Sequence, residues 1–261
     1  MIQKLFEKLS SFNETEAIAL GGSRAGITYD EKSDYDVYLY VTRPIKEKDR
    51  KNLLTEFCGK MEIGNSFWEY EDNCVLKNGI DIDILYRNLD GFEKDIESVV
   101  KNFSARNGYT TCMWHNLKTC KIIYDKNGRL TALQKRYDCA YPQQLKHNII
   151  DRNMKLLRYG MPAFEGQILK AAKRGDINSV NHRTAEFMAS YFDIIFALNN
   201  LTHPGEKRLV QLCERDCKLL PNNFAENIYN LFNSLLCPAD ILAEKLNTII
   251  VELEKIIEIN N

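Results

Sequence analysis

Ser33-Asp34-Tyr35-Asp36-Val37-Tyr38-Leu39-Tyr40-Val41 is the stretch that decides the fold. Its aromatic and branched residues favour an extended chain, and Pro44 closes the run. Two aspartates open it two residues apart, so a strand starting there turns both carboxylates to one side. Upstream, Ala17-Ile18-Ala19-Leu20 is a short apolar run ending in Gly21-Gly22-Ser23, the pattern of a buried strand entering a tight turn. Downstream, Ile80-Asp81-Ile82-Asp83-Ile84-Leu85-Tyr86 alternates with a period of two, which gives Asp81 and Asp83 a shared face as well.

The rest of the first half fits around these strands. Residues 1–10 predict an amphipathic helix with Leu5 and Leu9 inward, and 24–33 a loop or short helix. Residues 46–60 predict a helix, 66–77 a strand or hairpin, and 90–102 a helix capped by Asp90. Lys121-Ile122-Ile123-Tyr124 predicts a last strand, closed by a turn at Asp125-Lys126-Asn127-Gly128. Beyond Tyr141-Pro142 the strand signals stop. Helices are expected over 142–158, 164–173, 177–199, 205–218, 222–236 and 238–258, with breaks at Gly160-Met161-Pro162, Arg174-Gly175-Asp176, His203-Pro204-Gly205 and Cys237-Pro238. The reading is α+β: a mixed sheet flanked by helices over 1–140, then an all-helical bundle over 141–261.

Composition narrows the function classes. Of 261 residues, 44% are hydrophobic and 27% charged, which excludes wholesale disorder, and the longest apolar runs are too short to span a membrane. The 35 basic and 36 acidic residues nearly cancel, unlike a protein that binds nucleic acid by bulk charge. Residues 141–261 are balanced at 14 basic and 14 acidic, which disfavours a polymerase groove. Residues 51–100 carry 5 basic and 11 acidic side chains, and 101–140 carry 8 and 2. That asymmetry suits either solvated helix faces or a basic wall beside a carboxylate centre. The first residues lack the apolar core of a secretory signal, and eight cysteines without a Cys-x-x-Cys pattern read as reduced thiols, so a cytoplasmic protein is expected.

Paired carboxylates beside an apolar strand are costly unless something positive neutralises them, and a divalent ion is the simplest solution. Magnesium seldom sits in an all-protein cage; it needs several carboxylates together with substrate phosphates. The glycine turn would supply backbone donors to phosphate oxygens, Ser23 a hydroxyl and Arg24 a charge. Taken one at a time, Gly-Gly-Ser and Asp-x-Asp are weak signals, and either aspartate pair could be an Asx turn or a surface feature. The ordered set is far more specific.

Gly22-Ser23, Asp34-x-Asp36 and a later strand aspartate, Asp83 or Asp81, together resemble the nucleotidyltransferase superfamily that includes DNA polymerase beta and the antibiotic nucleotidyltransferases. The resemblance covers roughly residues 15–90. It implies two Mg2+ ions held by Asp34, Asp36 and the third aspartate, with the frame of the strand favouring Asp83 over Asp81. It also implies transfer of a nucleoside monophosphate, AMP for choice, from an NTP such as ATP to a hydroxyl, with release of pyrophosphate. Phe196-Ala197-Leu198-Asn199 and Pro204-Gly205-Glu206-Lys207-Arg208 look like the helical domain of bacterial nucleotidyltransferase-like proteins and aminoglycoside adenylyltransferases, which points to a small-molecule acceptor.

Within the helical half, Glu186, Asp193 and Glu206 are candidate general bases, Glu186 foremost. Lys207 and Arg208, placed just inside a helix start, are candidate phosphate contacts. Each has a plainer reading as a solvated or salt-bridged side chain. His115 and His182 lack metal-ligand spacing, and Trp68 and Trp114 suit packing as well as stacking on a base. The expected partner is a small hydroxylated molecule, without nucleic acid or membrane, and a homodimer is a candidate assembly. The alternatives are a protein-modifying nucleotidyltransferase and a non-catalytic, antitoxin-like interaction module.

Overall fold

The computed structural model describes residues 1–25 and 33–260, so the loop expected over 24–33 lies mostly outside the described residues. The chain forms two compact units, one of Met1–Glu97 with Asn116–Cys139, the other of Ser98–His115 with Ala140–Asn261. A division made once, at 140/141, leaves the segment 98–115 with the first half, whereas its packing is with the second.

The first unit is built on a mixed six-stranded sheet in the order β3-β4-β5-β2-β1-β6. Its strands are β1 Thr15–Leu20, β2 Tyr35–Val41, β3 Cys58–Asn65, β4 Glu71–Leu76, β5 Asp81–Arg87 and β6 Lys121–Asp125. β2 and β5 run parallel and every other pair antiparallel. The alternation read in the sequence sorts the two faces. Val37, Leu39, Ile82 and Ile84 pack with Leu5, Phe6 and Leu9 of α1 (Ile2–Ser10) and with Leu54 of α2 (Glu47–Leu54). The opposite face buries Tyr38 and Tyr40, and Tyr40 meets Phe92 of α3 (Leu89–Val100) at 5.4 Å.

The apolar face contains one buried ion pair. Arg50 Nη1 donates to Asp72 Oδ1 at 2.8 Å, with both side chains fully buried. The Tyr86 hydroxyl and the Gly64 amide complete the carboxylate at 2.8 and 2.9 Å, while Arg50 Nη2 donates to Tyr70 Oη at 2.6 Å. Burial pushes the Asp72 carboxyl above its ordinary range, opposed first by the Tyr86 hydroxyl, then by the Gly64 amide and the Arg50 charge.

Two expectations change in this unit. The helix expected over 46–60 ends at Leu54, where Phe57 N–H bonds Leu54 O and turns the Phe57 ring into the core. The chain then enters edge strand β3, whose pairing with β4 outweighs the helical bias of the sequence before it. The cap of α3 is Asn88, whose Oδ1 accepts from Gly91 N–H at 2.9 Å; Asp90 instead meets Arg129 at 2.5 Å. Helices α4 (Cys112–Thr119) and α5 (Arg129–Arg136) were not legible from spacing.

The second unit is helical: α6 Gln143–Met154, running into a π-helical turn at Lys155–Tyr159, α7 Phe164–Ala172, α8 Ile177–Leu198, α9 Leu209–Asp216, α10 Phe224–Asn233 and α11 Ala239–Asn260. Every residue from Phe187 to Leu198 is buried, so the second half of α8 is the central rod of the bundle. Asp176 caps it by accepting from Ser179 N–H. The helix expected over 205–218 begins only at Leu209, because Gly205 and Arg208 take positive φ of 109° and 57°. Lys207 and Arg208 therefore precede that helix rather than open it.

Candidate active site

The site grows from the junction of β1 with β2. Gly21 N–H donates to Asp36 O at 2.8 Å, which brings the turn after β1 against the start of β2. Gly22 has a φ of 56°, and a Cβ there would collide with the Asp36 carboxylate. Glycine is thus required twice over, for the backbone and for the space. Ser23 opens a short 3-10 turn, Ser23–Ala25; its side chain lies outside what is described. Arg24 is buried. Its Nε donates to Ser33 O at 2.6 Å, and its guanidinium lies 3.8 Å from the Tyr35 ring centre. It ties the Ser23–Ala25 turn to the residues that open β2.

Across the sheet, register lines up a polar row. Asp36 of β2 is the partner of Asp83 on parallel β5, Asp83 faces Asn73 of β4, and Asn73 faces Glu62 of β3. Partners across strands share a face at roughly 4.8 Å spacing, so two carboxylates stand side by side here, followed by an amide and a third carboxylate. Asn73 Nδ2 donates to Asp83 Oδ1 at 2.8 Å. Asp34, Asp81, Asp83, Glu62, Asn73 and Lys60 line one hollow of about 440 Å³. Asp36 and Asp83 are half-buried, while Asp34 and Asp81 are exposed. Among the described residues no three His, Cys, Asp or Glu side chains are gathered closely enough to hold a metal ion.

Behind the row, Tyr38 covers Gly21, and Arg87 lies 4.1 Å over the Tyr38 ring while donating to Glu69 at 2.8 and 2.5 Å. Burial pushes the Tyr38 phenol up to about 12, so it stays protonated and serves as a wall of the turn.

The remaining residues singled out in the sequence fall elsewhere. Glu186 is half-buried on α8 and Lys207 is exposed, both in the second unit, as is exposed Glu206. Asp193 is no open-site base: it is 1% exposed, accepting from Thr110 N–H and Oγ1 at 3.0 and 2.6 Å and from Asn153 Nδ2 at 3.2 Å. Burial pushes its carboxyl up to about 6. Trp114 is buried beside Tyr141, His115 Nδ1 pairs with Thr202 Oγ1 at 2.8 Å, and His182 is exposed. Trp68, 90% exposed, sits on the β3–β4 connection. Sequence reasoning passed over Asn73, Asn65 and Glu62, because only strand register sets them beside the aspartates.

Comparisons with known proteins bear on parts of this description. The family described as "Domain of unknown function (DUF4037)" matches residues 110–208. No curated protein sequence matches the chain. Among solved structures, the chain is similar to a nucleotidyltransferase-like protein from Exiguobacterium sibiricum 255-15, with TM-score 0.45 and 13% identity over 99% of this chain and 75% of that one. It is similar also to an aminoglycoside 6-adenyltransferase from Bacillus subtilis, with TM-score 0.33, 12% identity and coverage of 99% and 88%. A CCA-adding enzyme in complex with ATP gives TM-score 0.29, 12% identity and coverage of 98% and 80%. No described helix is long and apolar enough to cross a membrane.

Proposed function

We propose that the protein is a magnesium-dependent nucleotidyltransferase that moves a nucleoside monophosphate, AMP from ATP for choice, to a hydroxyl of a small molecule and releases pyrophosphate. The observation that carries this reading is the pairing of Asp36 with Asp83 in register on adjacent parallel strands, with glycine required beneath the Asp36 carboxylate. Two like charges side by side repel each other, and nothing in hydrophobic packing rewards the arrangement. A bound cation does.

Carboxylate oxygens are the donors a hard cation takes, with substrate phosphates completing the set. Asp36 and its register partner Asp83 would hold the ion, together with Asp34 or Asp81, which line the same hollow as Asp83. Magnesium, when bound, offsets charge on the triphosphate and lowers the pKa of the attacking hydroxyl. The chain's own part is positional. With the Gly21 N–H already bonded to Asp36 O, the amides of Gly22 and Ser23 are the ones that would donate to phosphate, and Gly22 leaves the backbone bare beside Asp36. The hollow of about 440 Å³ suits a small acceptor. Free thiols at all eight cysteines accord with a reducing, cytoplasmic setting.

The test is magnesium-dependent pyrophosphate release from α-labelled ATP across a panel of hydroxylated acceptors, comparing the full chain with Asp36→Asn. The variant is expected to lose well over ~100-fold, since disturbing even the partners of metal ligands costs ~10–100-fold. Equal turnover by the two proteins overturns the assignment, and label fixed on a protein instead of a small molecule moves it to the protein-modifying class.

A further inference from the structure

We infer that Asn73 is a positioning residue that holds Asp83, rather than Asp81, as the third carboxylate of the centre, an inference that rests on the nucleotidyltransferase reading. Three hydrogen bonds run in one direction through the β3–β4 hairpin. Phe67 N–H donates to Asn65 Oδ1 at 2.9 Å, Asn65 Nδ2 donates to Asn73 Oδ1 at 2.8 Å, and Asn73 Nδ2 donates to Asp83 Oδ1 at 2.8 Å.

The two ends fix the polarity of the relay. A backbone N–H only donates and an ionised carboxylate only accepts, while each asparagine offers one carbonyl oxygen and one amide nitrogen. Flipping either amide would set acceptor against acceptor or donor against donor. The Asn73 nitrogen is thereby committed to Asp83 by groups on another strand.

Strand irregularity makes the reach possible. The β3–β4 register shifts between Ile63 and Asn65, at Gly64 with a φ of 78°, so Asn65 pairs with Glu71 yet reaches Asn73. The same register explains the choice between the aspartates. Asp83 faces Asn73 across β4, whereas exposed Asp81 faces Val75, which has no side-chain donor to give. Asp83 is also the register partner of Asp36 on the neighbouring strand. One amide bond to Oδ1 holds it in the row and reduces the ordering that cation binding must supply.

The experiment is a Mn2+ titration of the full chain with a non-hydrolysable ATP analogue, read from the free-ion EPR signal, with circular dichroism confirming the fold of each variant. Asn73→Ala is expected to weaken Mn2+ binding ~10–100-fold. Asp83→Asn should weaken it at least tenfold more than Asp81→Asn. Asn65→Ala, which keeps Asn73 but releases its orientation, should weaken it by a smaller factor, and it decides the matter if Asn73→Ala fails to fold. Wild-type affinity in a folded Asn73→Ala protein, with Asp83→Asn impaired, overturns the inference and leaves the nucleotidyltransferase reading standing. So does a larger loss from Asp81→Asn than from Asp83→Asn. Unchanged affinity in both Asp36→Asn and Asp83→Asn, or no Mn2+ binding by the wild type, brings down the reading itself and the inference with it.

Discussion

Asp83 in the sheet and Asp193 in the helical bundle each accept a hydrogen bond from an asparagine amide, and there the likeness ends. Asp193 is sealed from solvent and surrounded by further donors from Thr110. Asp83 is half-open, faces a hollow and stands beside another carboxylate. Asp72, on the sheet's other face, is a third case, buried with a guanidinium. An aspartate closed in by donors binds segments of the chain together. One left open beside a like charge is, on the proposed reading, where a cation would sit.

The largest expected effect tests the closed kind. Arg50→Ala should cost about 3–5 kcal/mol in urea denaturation, because Asp72 would remain buried without its cation. A loss below about 1 kcal/mol would mean the pair is not what fixes α2 to the sheet.

Asp193 should show itself through pH. Its folded pKa of about 6 lies above the ordinary 3.8, so native protein retains a proton that unfolded chain has released. Stability contributed at low pH is therefore lost as pH rises from about 4 to about 6, by about 3 kcal/mol. Subtracting the profile of Asp193→Asn from that of the wild type isolates this slope, and a flat difference would show that burial leaves the Asp193 carboxyl unshifted.

Gly22→Ala sharpens the contrast from the open side. The left-handed backbone should cost about 1–2 kcal/mol of stability. Displacing the Asp36 carboxylate should also lower Mn2+ affinity by ~10-fold or more. The smallest effect carries the opposite sign: without metal, Asp83→Asn should raise stability by about 0.5 kcal/mol, by removing one of two opposed charges. A measurable loss instead would show that Asp83, like Asp193, is a structural carboxylate.

Strands β1, β2 and β5 were legible because each is an apolar run bounded by turn residues, and the aspartates announced themselves by their spacing. The helices of the second half were equally plain from their periodicity and breaks. β3 was hidden because Cys58-Gly59-Lys60-Met61-Glu62 has little strand preference of its own and is held by long-range pairing with β4. Asn65 and Asn73 carried no signal of their own, since asparagine is commonly a turn residue. Only the shifted register shows them to be cross-strand neighbours. The role of Thr110 was invisible for the same reason, since its partner Asp193 lies eighty-three positions away.

The excursion of residues 98–115 has a consequence for anyone wishing to separate the halves. The polypeptide passes between the two units three times, after Glu97, after His115 and after Cys139. A nick at the last crossing alone therefore releases neither part whole. It strands Thr110, Thr111 and Gly108 on the wrong fragment, away from Asp193, His203 and Asn153, the groups they bond. Limited proteolysis there should yield a nicked complex that stays together until denatured.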